Sequence, residues 1–400
     1  VYGALCQVTG RTLPWGDLTG IRPTKIPMKL LEEGWKNTEI ARYMRETYGV
    51  SNEKTALAIT IANREKALLQ DLDYENGYSL YVGIPFCPSI CLYCSFGSHP
   101  LERWTKRVDE YLDTLCKELT FIREQMGARK LTTVYIGGGT PTTLEPEQLR
   151  RLLSHIQETF DFTWVKEYTV EAGRPDSITR EKLQVMKEFP VTRISVNPQT
   201  MNQKTLDVIG RKHTVEDTVN IFHMARELEF DNINMDLIIG LPGEGKEEVA
   251  HTLQEVEKLH PDSLTIHSLA LKRATRLNLF KDKYEEMSFE NSKEIMEMTQ
   301  QCAENMGMGP YYLYRQKNIA GNYENVGYAE VDKAGIYNIL IMEEKQTILA
   351  AGAGASTKFV FEHGTRIERV ENVKDVNNYI LRIDEMLERK RVGIQKYLNG

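Results

Sequence analysis

The chain has 400 residues, of which 41% are hydrophobic and 27% charged, and its formal net charge is −7. These values are ordinary for a globular protein of two to four domains, and they exclude a disordered chain, a collagen and a small disulfide-stapled scaffold. The acidic balance argues against a nucleic-acid partner. No apolar run approaches the roughly 18 residues that a membrane span requires.

The chain begins with Val1 rather than methionine, so we expect that a preceding segment is missing. It shows no charged stretch followed by an apolar one, as a secretory signal would, and we therefore expect a cytoplasmic protein. The sequence does not specify the oligomeric state.

Residues 1–76 are predicted to form a mostly helical N-terminal segment. After an irregular start and a proline-rich loop at 14–27, apolar residues recur at helical spacing from Met28 to Leu72. The residues at 49–52 interrupt this pattern, and Ser51 is expected to cap the second helix.

From residue 77 to 310, short β-rich runs alternate six times with helical stretches. The predicted strands are 79–84, 132–136, 167–171, 192–197, 232–239 and 263–268. The predicted helices lie near 105–126, 145–159, 179–188, 202–209, 215–228 and 246–259. This alternation predicts an α/β fold with a parallel sheet, and its length is short of the ~250 residues of an eight-unit barrel. We therefore predict a partial (β/α)6 barrel, with a doubly wound open sheet as the alternative.

Residues 311–400 are predicted to form a C-terminal α+β extension that covers the mouth of the barrel. The aromatic and polar run at 311–329 is unlike a core element. Strands are predicted at 336–342, 346–351 and near 357–361, and a helix from about 374 to 391.

Three of the six cysteines, Cys87, Cys91 and Cys94, lie within eight residues in the spacing C-x3-C-x2-C after the first predicted strand. Thiolates select iron–sulfur clusters or zinc. A four-iron cluster held by three thiolates leaves one iron open to a small molecule, whereas zinc would be completed by His99 as a Cys3His set. The scattered cysteines are interpreted as small buried hydrophobic residues: Cys6, Cys116 and Cys302.

Other unusual residues lie after a predicted strand, at or near the end of one or, for Asp236, within one. They are the glycine-rich loop at 137–142, Glu171, the run Asn197–Gln199, Asp236 and His267. Because the carboxyl ends of parallel strands face one side of the sheet, we expect these groups to converge on one site. The glycine-rich loop lets a ligand approach the backbone closely, which a structural zinc site does not need.

The cysteine spacing, with Tyr93 before the last cysteine and GGGTPT at 137–142, resembles the radical S-adenosylmethionine (SAM) enzymes. More closely, the chain is similar to the oxygen-independent coproporphyrinogen III oxidase family over about residues 79–360. The runs that carry this similarity are EAGRPD at 171–176, the segment 193–211 and NMDLIIGLPG at 234–243. Segments 18–25 and 314–329 resemble the HemZ-type branch of that family.

The resemblance implies that Cys87, Cys91 and Cys94 ligate a [4Fe-4S] cluster, shielded by Tyr93, and that SAM chelates the open iron. It also implies a set of SAM-binding residues: Gly137, Gly138, Gly139, Thr140, Glu171, Gln199, Arg211 and Asp236. In that set the glycine-rich loop receives the methionyl amine, with Glu171 near the methionyl moiety. Arg211 would pair with the SAM carboxylate through its planar guanidinium, and Asp236 would hold the ribose hydroxyls. Tyr81 matches an aromatic residue on the substrate or SAM side of the pocket and is the predicted catalytic residue.

The reaction that the resemblance implies is oxidative decarboxylation of two propionate side chains of coproporphyrinogen III to give protoporphyrinogen IX in haem biosynthesis. One electron from an external flavodoxin- or ferredoxin-type donor would cleave SAM into methionine and a 5′-deoxyadenosyl radical. The tetrapyrrole substrate carries four carboxylates, so cationic anchors are needed. The candidates are Arg22, Lys25, Arg315 and Lys317.

One position departs from the family pattern. The best-studied branch has a further cysteine two residues after the cluster motif, where this chain has Phe96. Relatives without that cysteine include haem-trafficking proteins. A haem chaperone or carrier, or another radical SAM reaction on a tetrapyrrole, therefore stands as the alternative function.

Overall fold

The computed structural model describes residues 1–95, 97–270, 275, 277, 289–317 and 319–399. The chain divides into two compact units: the first unit comprises Val1–Asp71 and Leu237–Ala334, and the second unit comprises Leu72–Asp236 and Gly335–Gly400. The division into segments 1–76, 77–310 and 311–400 stays a prediction. None of the described helices is both long and apolar enough to cross a bilayer.

The described strands and helices are numbered here in chain order. The strands are β1 (Gly77–Ile84), β2 (Phe86–Cys87), β3 (His99–Pro100), β4 (Lys130–Gly138), β5 (Glu167–Gly173), β6 (Arg193–Val196), β7 (Ile233–Ile239), β8 (Ser263–Ser268), β9 (Gly309–Tyr314), β10 (Asn325–Ala329), β11 (Thr347–Ala351), β12 (Ser356–Phe361) and β13 (Arg366–Glu371). The helices are α1 (Tyr2–Thr9), α2 (Lys25–Glu32), α3 (Asn37–Tyr48), α4 (Asn52–Leu69), α5 (Val108–Met126), α6 (Pro146–Thr159), α7 (Arg180–Lys187), α8 (Gln203–Val208), α9 (Val215–Glu227), α10 (Lys246–Leu259), α11 (Lys293–Asn305), α12 (Ile336–Glu343), α13 (Val376–Leu381) and α14 (Ile383–Asn399).

The second unit is built on parallel strands in the order β11-β1-β4-β5-β6, followed by residues 233–236 of β7. Strands β12 and β13 extend the β11 edge in antiparallel fashion. From β1 to β7 the order follows the chain without reversal, whereas a doubly wound sheet reverses its direction at a switch point. The parallel strands are largely buried, and Leu80, Val134, Val170 and Ile194 are all inaccessible to solvent. Parallel strands are buried on both faces because helices cover the sheet.

The predicted strand at 336–342 is wrong, because this run forms α12. Its apolar and β-branched residues favour a strand, but the backbone N–H groups of Ile336 and Tyr337 both donate to the carboxylate of Glu167 on β5. An acceptor at these first-turn N–H groups stabilises the start of a helix. A contact distant in sequence therefore decides the local structure.

The first unit combines α1–α4, α10 and α11 with the antiparallel strands β8, β10 and β9, with β10 in the middle. Ser51 caps α4 by accepting a hydrogen bond from the N–H of Lys54, as predicted. The interpretation of 311–329 as unlike a core element is wrong, since Tyr311, Leu313 and Val326 are fully buried in β9 and β10. Aromatic side chains fill this core because their rings bury large apolar areas.

Candidate functional site

The three clustered cysteines lie in the second unit, in the loop that follows β1. Cys87 pairs with Pro100 where β2 meets β3, and the N–H of Leu92 donates to the carbonyl of Ile209 at 2.9 Å. Cys87 and Cys91 are each 8% exposed. The loop is therefore held from two sides, with two of its thiols inside the protein.

Each of the two buried sulfur atoms receives a hydrogen bond. The hydroxyl of Thr140 donates to Cys87 Sγ, and the guanidinium of Arg174 donates to Cys91 Sγ, both at 3.5 Å. The pKa of the Cys87 thiol is raised to about 11, mainly by burial; Cys94 and Cys91 act in the same direction, and the Thr140 hydroxyl and the Arg174 charge oppose them. Three closely spaced cysteines, two of which accept hydrogen bonds at sulfur from O–H and N–H donors, are a set that fits an iron–sulfur cluster.

The imidazole of His99 has other neighbours. Its Nε2 lies 3.4 Å from the carbonyl oxygen of Lys374, and its ring packs edge-on against Trp104. Within the described part of the chain, no group of three or more His, Cys, Asp or Glu side chains already has a metal-holding arrangement. The fit to a cluster therefore rests on the chemistry of the three thiols and their donors. Phe96 lies outside the described residues.

The glycine-rich loop continues β4 directly beside the cysteine loop. The N–H of Gly139 donates to the carbonyl of Ile84 at 2.7 Å, and a Cβ at Gly139 would lie 2.5 Å from the carbonyl oxygen of Phe86. A Cβ at Gly137 would lie 2.9 Å from a carboxylate oxygen of Glu171. Only glycine permits approaches this close.

Glu171 and Tyr81, both predicted site residues, belong to one cluster of side chains. Tyr135 donates a hydrogen bond to the carboxylate of Glu171. The ring of Tyr135 stacks on Tyr81 and on Tyr337, with centroids 6.2 and 4.4 Å away. Burial raises the pKa of the Glu171 carboxyl to about 7, with the hydrogen bond from Tyr135 opposing this shift. The arrangement places a proton-exchanging group beside an aromatic wall.

Gln199 and Asp236 are joined through their backbones, since the N–H of Gln199 donates to the carbonyl of Asp236 at 3.0 Å. Gln199 has a φ of 70°, which is rare for a residue other than glycine. Such strain persists where the surroundings fix a functional side chain. The carboxylate of Asp236 accepts a hydrogen bond from the amide of Asn234 at 2.7 Å.

Arg211 is 4% exposed. Its guanidinium donates to the carbonyl of Asn197 at 2.8 Å and to the hydroxyl of Tyr93 at 3.1 Å. Within the described structure, three buried polar atoms here have no hydrogen-bond partner: Asn197 Oδ1, Gln199 Oε1 and Arg211 Nε. Buried polar atoms are normally satisfied, so these three fit a polar ligand such as SAM.

Sequence reasoning missed several residues of the site. They are Tyr135, Arg174, Asn197 as a side chain, and Tyr337. The adjacent charges of the GRPD run at 173–176 were the available signal for Arg174. Nothing local distinguished the tyrosines, because their roles arise only when β1, β4 and α12 pack together.

The predicted cationic anchors lie in the first unit. Arg315 is 9% exposed, and its guanidinium donates to the carbonyl of Leu18 and the amide oxygen of Asn322, each at 2.8 Å. Arg315 therefore fastens the N-terminal loop. Lys317 is exposed, and Arg22 and Lys25 are partly buried.

A family model described as the radical SAM superfamily matches residues 81–256. HemZ of Bacillus subtilis, named an oxygen-independent coproporphyrinogen-III oxidase-like protein, is 44% identical over 395 residues, which cover 98% of this chain and 79% of that protein. The haem chaperone HemW of the same organism is 37% identical over 198 residues, 49% of this chain and 52% of HemW. The chain thus spans about half the length of that relative.

Among solved structures, the coproporphyrinogen III oxidase HemN of Escherichia coli matches with a TM-score of 0.62 and 24% identity, over 80% of this chain and 73% of HemN. This likeness confirms the predicted fold class, a mixed α/β fold with a large, mostly parallel sheet of the radical SAM type. The chain belongs to the radical SAM superfamily and, within it, to the family of the HemZ-like relatives of oxygen-independent coproporphyrinogen III oxidase. Membership implies a [4Fe-4S] cluster and SAM as cofactors.

Proposed function

We propose that the protein is an oxygen-independent coproporphyrinogen III dehydrogenase, which converts two propionate side chains of its tetrapyrrole substrate into vinyl groups and yields protoporphyrinogen IX. The observation that carries this proposal is the 44% identity to a coproporphyrinogen-III oxidase-like protein over 98% of the chain. It is supported by the buried cysteine loop and by the buried polar atoms of Asn197, Gln199 and Arg211 that have no hydrogen-bond partner among the described residues.

In this proposal Cys87, Cys91 and Cys94 hold the cluster. When bound, the cluster and SAM would supply the one-electron chemistry that removes a hydrogen atom from a propionate side chain. The carboxylate would then leave as carbon dioxide, one electron would pass to an external acceptor, and a vinyl group would remain. The electron comes from an external flavodoxin- or ferredoxin-type donor. A thiolate loop that is held on two sides keeps the cluster fixed against the pocket and limits access of water.

The remaining pocket residues bind and orient SAM. Arg211 presents its unpartnered Nε to the SAM carboxylate, Gln199 supplies an amide, and Asp236 accepts from the ribose hydroxyls. The backbone of Gly137–Thr140 and the carboxylate of Glu171 receive the methionyl amine. The wall of Tyr81, Tyr135 and Tyr337 gives the pocket an apolar face that excludes water from the reacting carbon.

The alternative function is a haem chaperone, which the 37% identity to HemW over half of the chain favours. The test is an anoxic turnover of reconstituted protein with SAM, a reductant and coproporphyrinogen III, followed by mass spectrometry. We expect a product that lacks two carboxyl groups. Absence of that product, together with stoichiometric haem binding, would reverse the assignment in favour of the chaperone.

The cluster is tested by Cys91→Ala, with Cys116→Ala as the matched control. After anoxic reconstitution with iron and sulfide, Cys91→Ala is expected to lose the brown colour and all SAM cleavage, because one of three ligands is gone. Cys116 lies on α5 outside the loop, so its variant is expected to keep both. Retention of a full cluster by Cys91→Ala contradicts the assignment.

A further inference from the structure

Arg174 lies just after β5 and makes a dense set of contacts. It is 5% exposed. Its guanidinium donates to the carbonyl and hydroxyl oxygens of Ser89 at 2.8 and 3.0 Å and to Cys91 Sγ at 3.5 Å. It also donates to both carboxylate oxygens of Asp176, at 2.9 and 2.7 Å. The Arg174 side chain therefore binds the cysteine loop, and the Asp176 carboxylate holds its guanidinium through two hydrogen bonds.

The charge of Arg174 is retained despite its burial. An arginine guanidinium stays protonated in proteins, and both carboxylate oxygens of Asp176 accept hydrogen bonds from this one. Cys87, in contrast, accepts a hydrogen bond from a neutral donor, the hydroxyl of Thr140. Cys91 therefore accepts a hydrogen bond from a charged donor, Arg174, whereas the donor to Cys87 is neutral.

Ser89 connects the cysteine loop to a second neighbouring segment. The hydroxyl of Ser89 donates to the carbonyl of Gly210 at 3.0 Å, directly before Arg211. The segment that carries Cys91 is thereby fixed between the end of β5 and the loop that precedes α9.

We propose that Arg174 is a positioning and tuning residue for the iron–sulfur cluster, which holds Cys91 in place and raises the reduction potential of the cluster through its charged N–H···S bond. The proposal rests on the cluster assigned to the three cysteines above. Reduction adds one negative charge, and a nearby cation with a hydrogen bond to sulfur stabilises the more negative state. The cluster is therefore easier to reduce than it would be without Arg174.

The experiment is a redox titration of the anoxically reconstituted, SAM-free protein, monitored by electron paramagnetic resonance. At the midpoint potential of the unsubstituted protein, Arg174→Gln is expected to lower the ratio of reduced to oxidised cluster about tenfold, which is 59 mV for a one-electron couple. Arg174→Lys keeps the charge without the fork and is expected to lie between the two.

Two further variants separate tuning from folding. Arg174→Gln with Asp176→Asn leaves no unpaired buried carboxylate, and we expect a smaller shift of the same sign, because Arg174 contacts the sulfur directly. Arg180→Gln is the matched control, since Arg180 pairs with Glu227 at 2.6 Å on the surface, and no shift is expected.

The outcomes distinguish this inference from the proposed function. A full cluster with an unchanged potential in Arg174→Gln and in the double variant overturns the inference alone. Loss of the cluster from every Arg174 variant also overturns it, because the residue is then only structural. A protein without substitutions that binds no cluster overturns the proposed function as well.

Discussion

At the scale of single residues, the fold strongly shifts the pKa of the Glu171 carboxyl. Burial raises the pKa of its carboxyl to about 7 from an ordinary 4.5. The hydroxyl of Tyr135, the charge of Arg193 and the N–H of Gly138 oppose this shift, whereas the charge of Asp236 adds to it. Near neutral pH the carboxyl therefore exchanges between its protonated and ionised forms, as acid–base groups at functional sites do.

Replacement of Tyr135 by phenylalanine tests this balance. The hydroxyl stabilises the ionised form of Glu171, so Tyr135→Phe is expected to raise the pKa of Glu171 further. The measurement is the infrared band of the protonated carboxyl in the cofactor-free protein as pH is varied. Glu171→Gln identifies the band by removing it. We expect the midpoint near pH 7 in the unsubstituted protein and at higher pH in the variant.

Tyr337→Phe is the control, because it keeps the ring that stacks on Tyr135 and removes a hydroxyl that does not donate to Glu171. Its midpoint is expected to match that of the unsubstituted protein. Because the folded state holds the Glu171 proton up to about pH 7, this group makes the free energy of unfolding fall as pH rises from about 4.5 to 7. A carboxyl that titrates at its ordinary pH in the folded protein contradicts both expectations.

Site residues could be predicted from the sequence where several of them lie within a few consecutive positions. The three cysteines and the glycines of the loop at 137–142 were recognisable because a wrapped cluster and a close backbone approach each need specific residue types in a few consecutive positions. Arg174 could not be recognised in this way, because its role depends on a contact with Cys91, which lies 83 residues earlier. Tyr135 likewise depends on Glu171, 36 residues later.

At the scale of elements, a buried ion pair joins α5 to the C-terminal helix α14. Lys390 and Glu118 are both inaccessible to solvent and lie 2.7 Å apart. The carboxylate of Glu118 also accepts from the N–H of Gly352, the amide of Asn372 and the hydroxyl of Tyr379. The Glu118 carboxylate therefore connects α5 to α13, to α14 and to the segments that follow β11 and β13.

Lys390→Met is expected to lower the free energy of unfolding by about 3–5 kcal/mol, because it leaves the Glu118 charge buried without its cation. The measurement is urea denaturation followed by circular dichroism. Lys396→Met is the control, since Lys396 pairs with Glu368 at the surface, and a change of about 0–1 kcal/mol is expected. Equal effects of the two substitutions contradict the role of the network.

Elements of the α/β repeat could be predicted because apolar runs and helical periodicity are local. The strand predicted at 263–268 coincides with β8, and the helix predicted near 246–259 coincides with α10. The run at 336–342 could not be assigned this way, because the carboxylate that favours its helix, Glu167, lies 169 residues away. The intrinsic strand preference of this run does not determine its structure, because a buried carboxylate accepts hydrogen bonds from the backbone N–H groups at the start of the helix.

At the scale of the whole molecule, neither compact unit is a continuous stretch of chain. The second unit takes its sheet from Leu72–Asp236 and its last strands and helices from Gly335–Gly400. Domain boundaries predicted from composition separate consecutive segments of the chain. Composition therefore does not show that residues far apart in sequence share one core. The C-terminal helix belongs to the same unit as the cysteine loop.

This arrangement makes the cysteine loop depend on the last helix. Tyr111 on α5 donates to the carbonyl of Gly83 at the end of β1 at 2.6 Å and packs edge-on against Phe86. Glu118 lies about two turns further along the same face of α5 and is paired with Lys390 of α14. Loss of α14 therefore removes the support of the helix that positions the strand leading into Cys87.

We expect a chain that ends at Arg382 to lose its cluster, although every cysteine and every proposed SAM-binding residue is retained. Removal of α14 leaves the Glu118 carboxylate buried without Lys390 and uncovers Phe359, against which Gly393 of α14 packs closely. The measurement is the iron and sulfide content after anoxic reconstitution, with near-ultraviolet circular dichroism as the readout of packing. A chain that ends at Tyr397 keeps these contacts and is the control. Full cluster content in the shorter chain would show that the loop folds without the C-terminal helix.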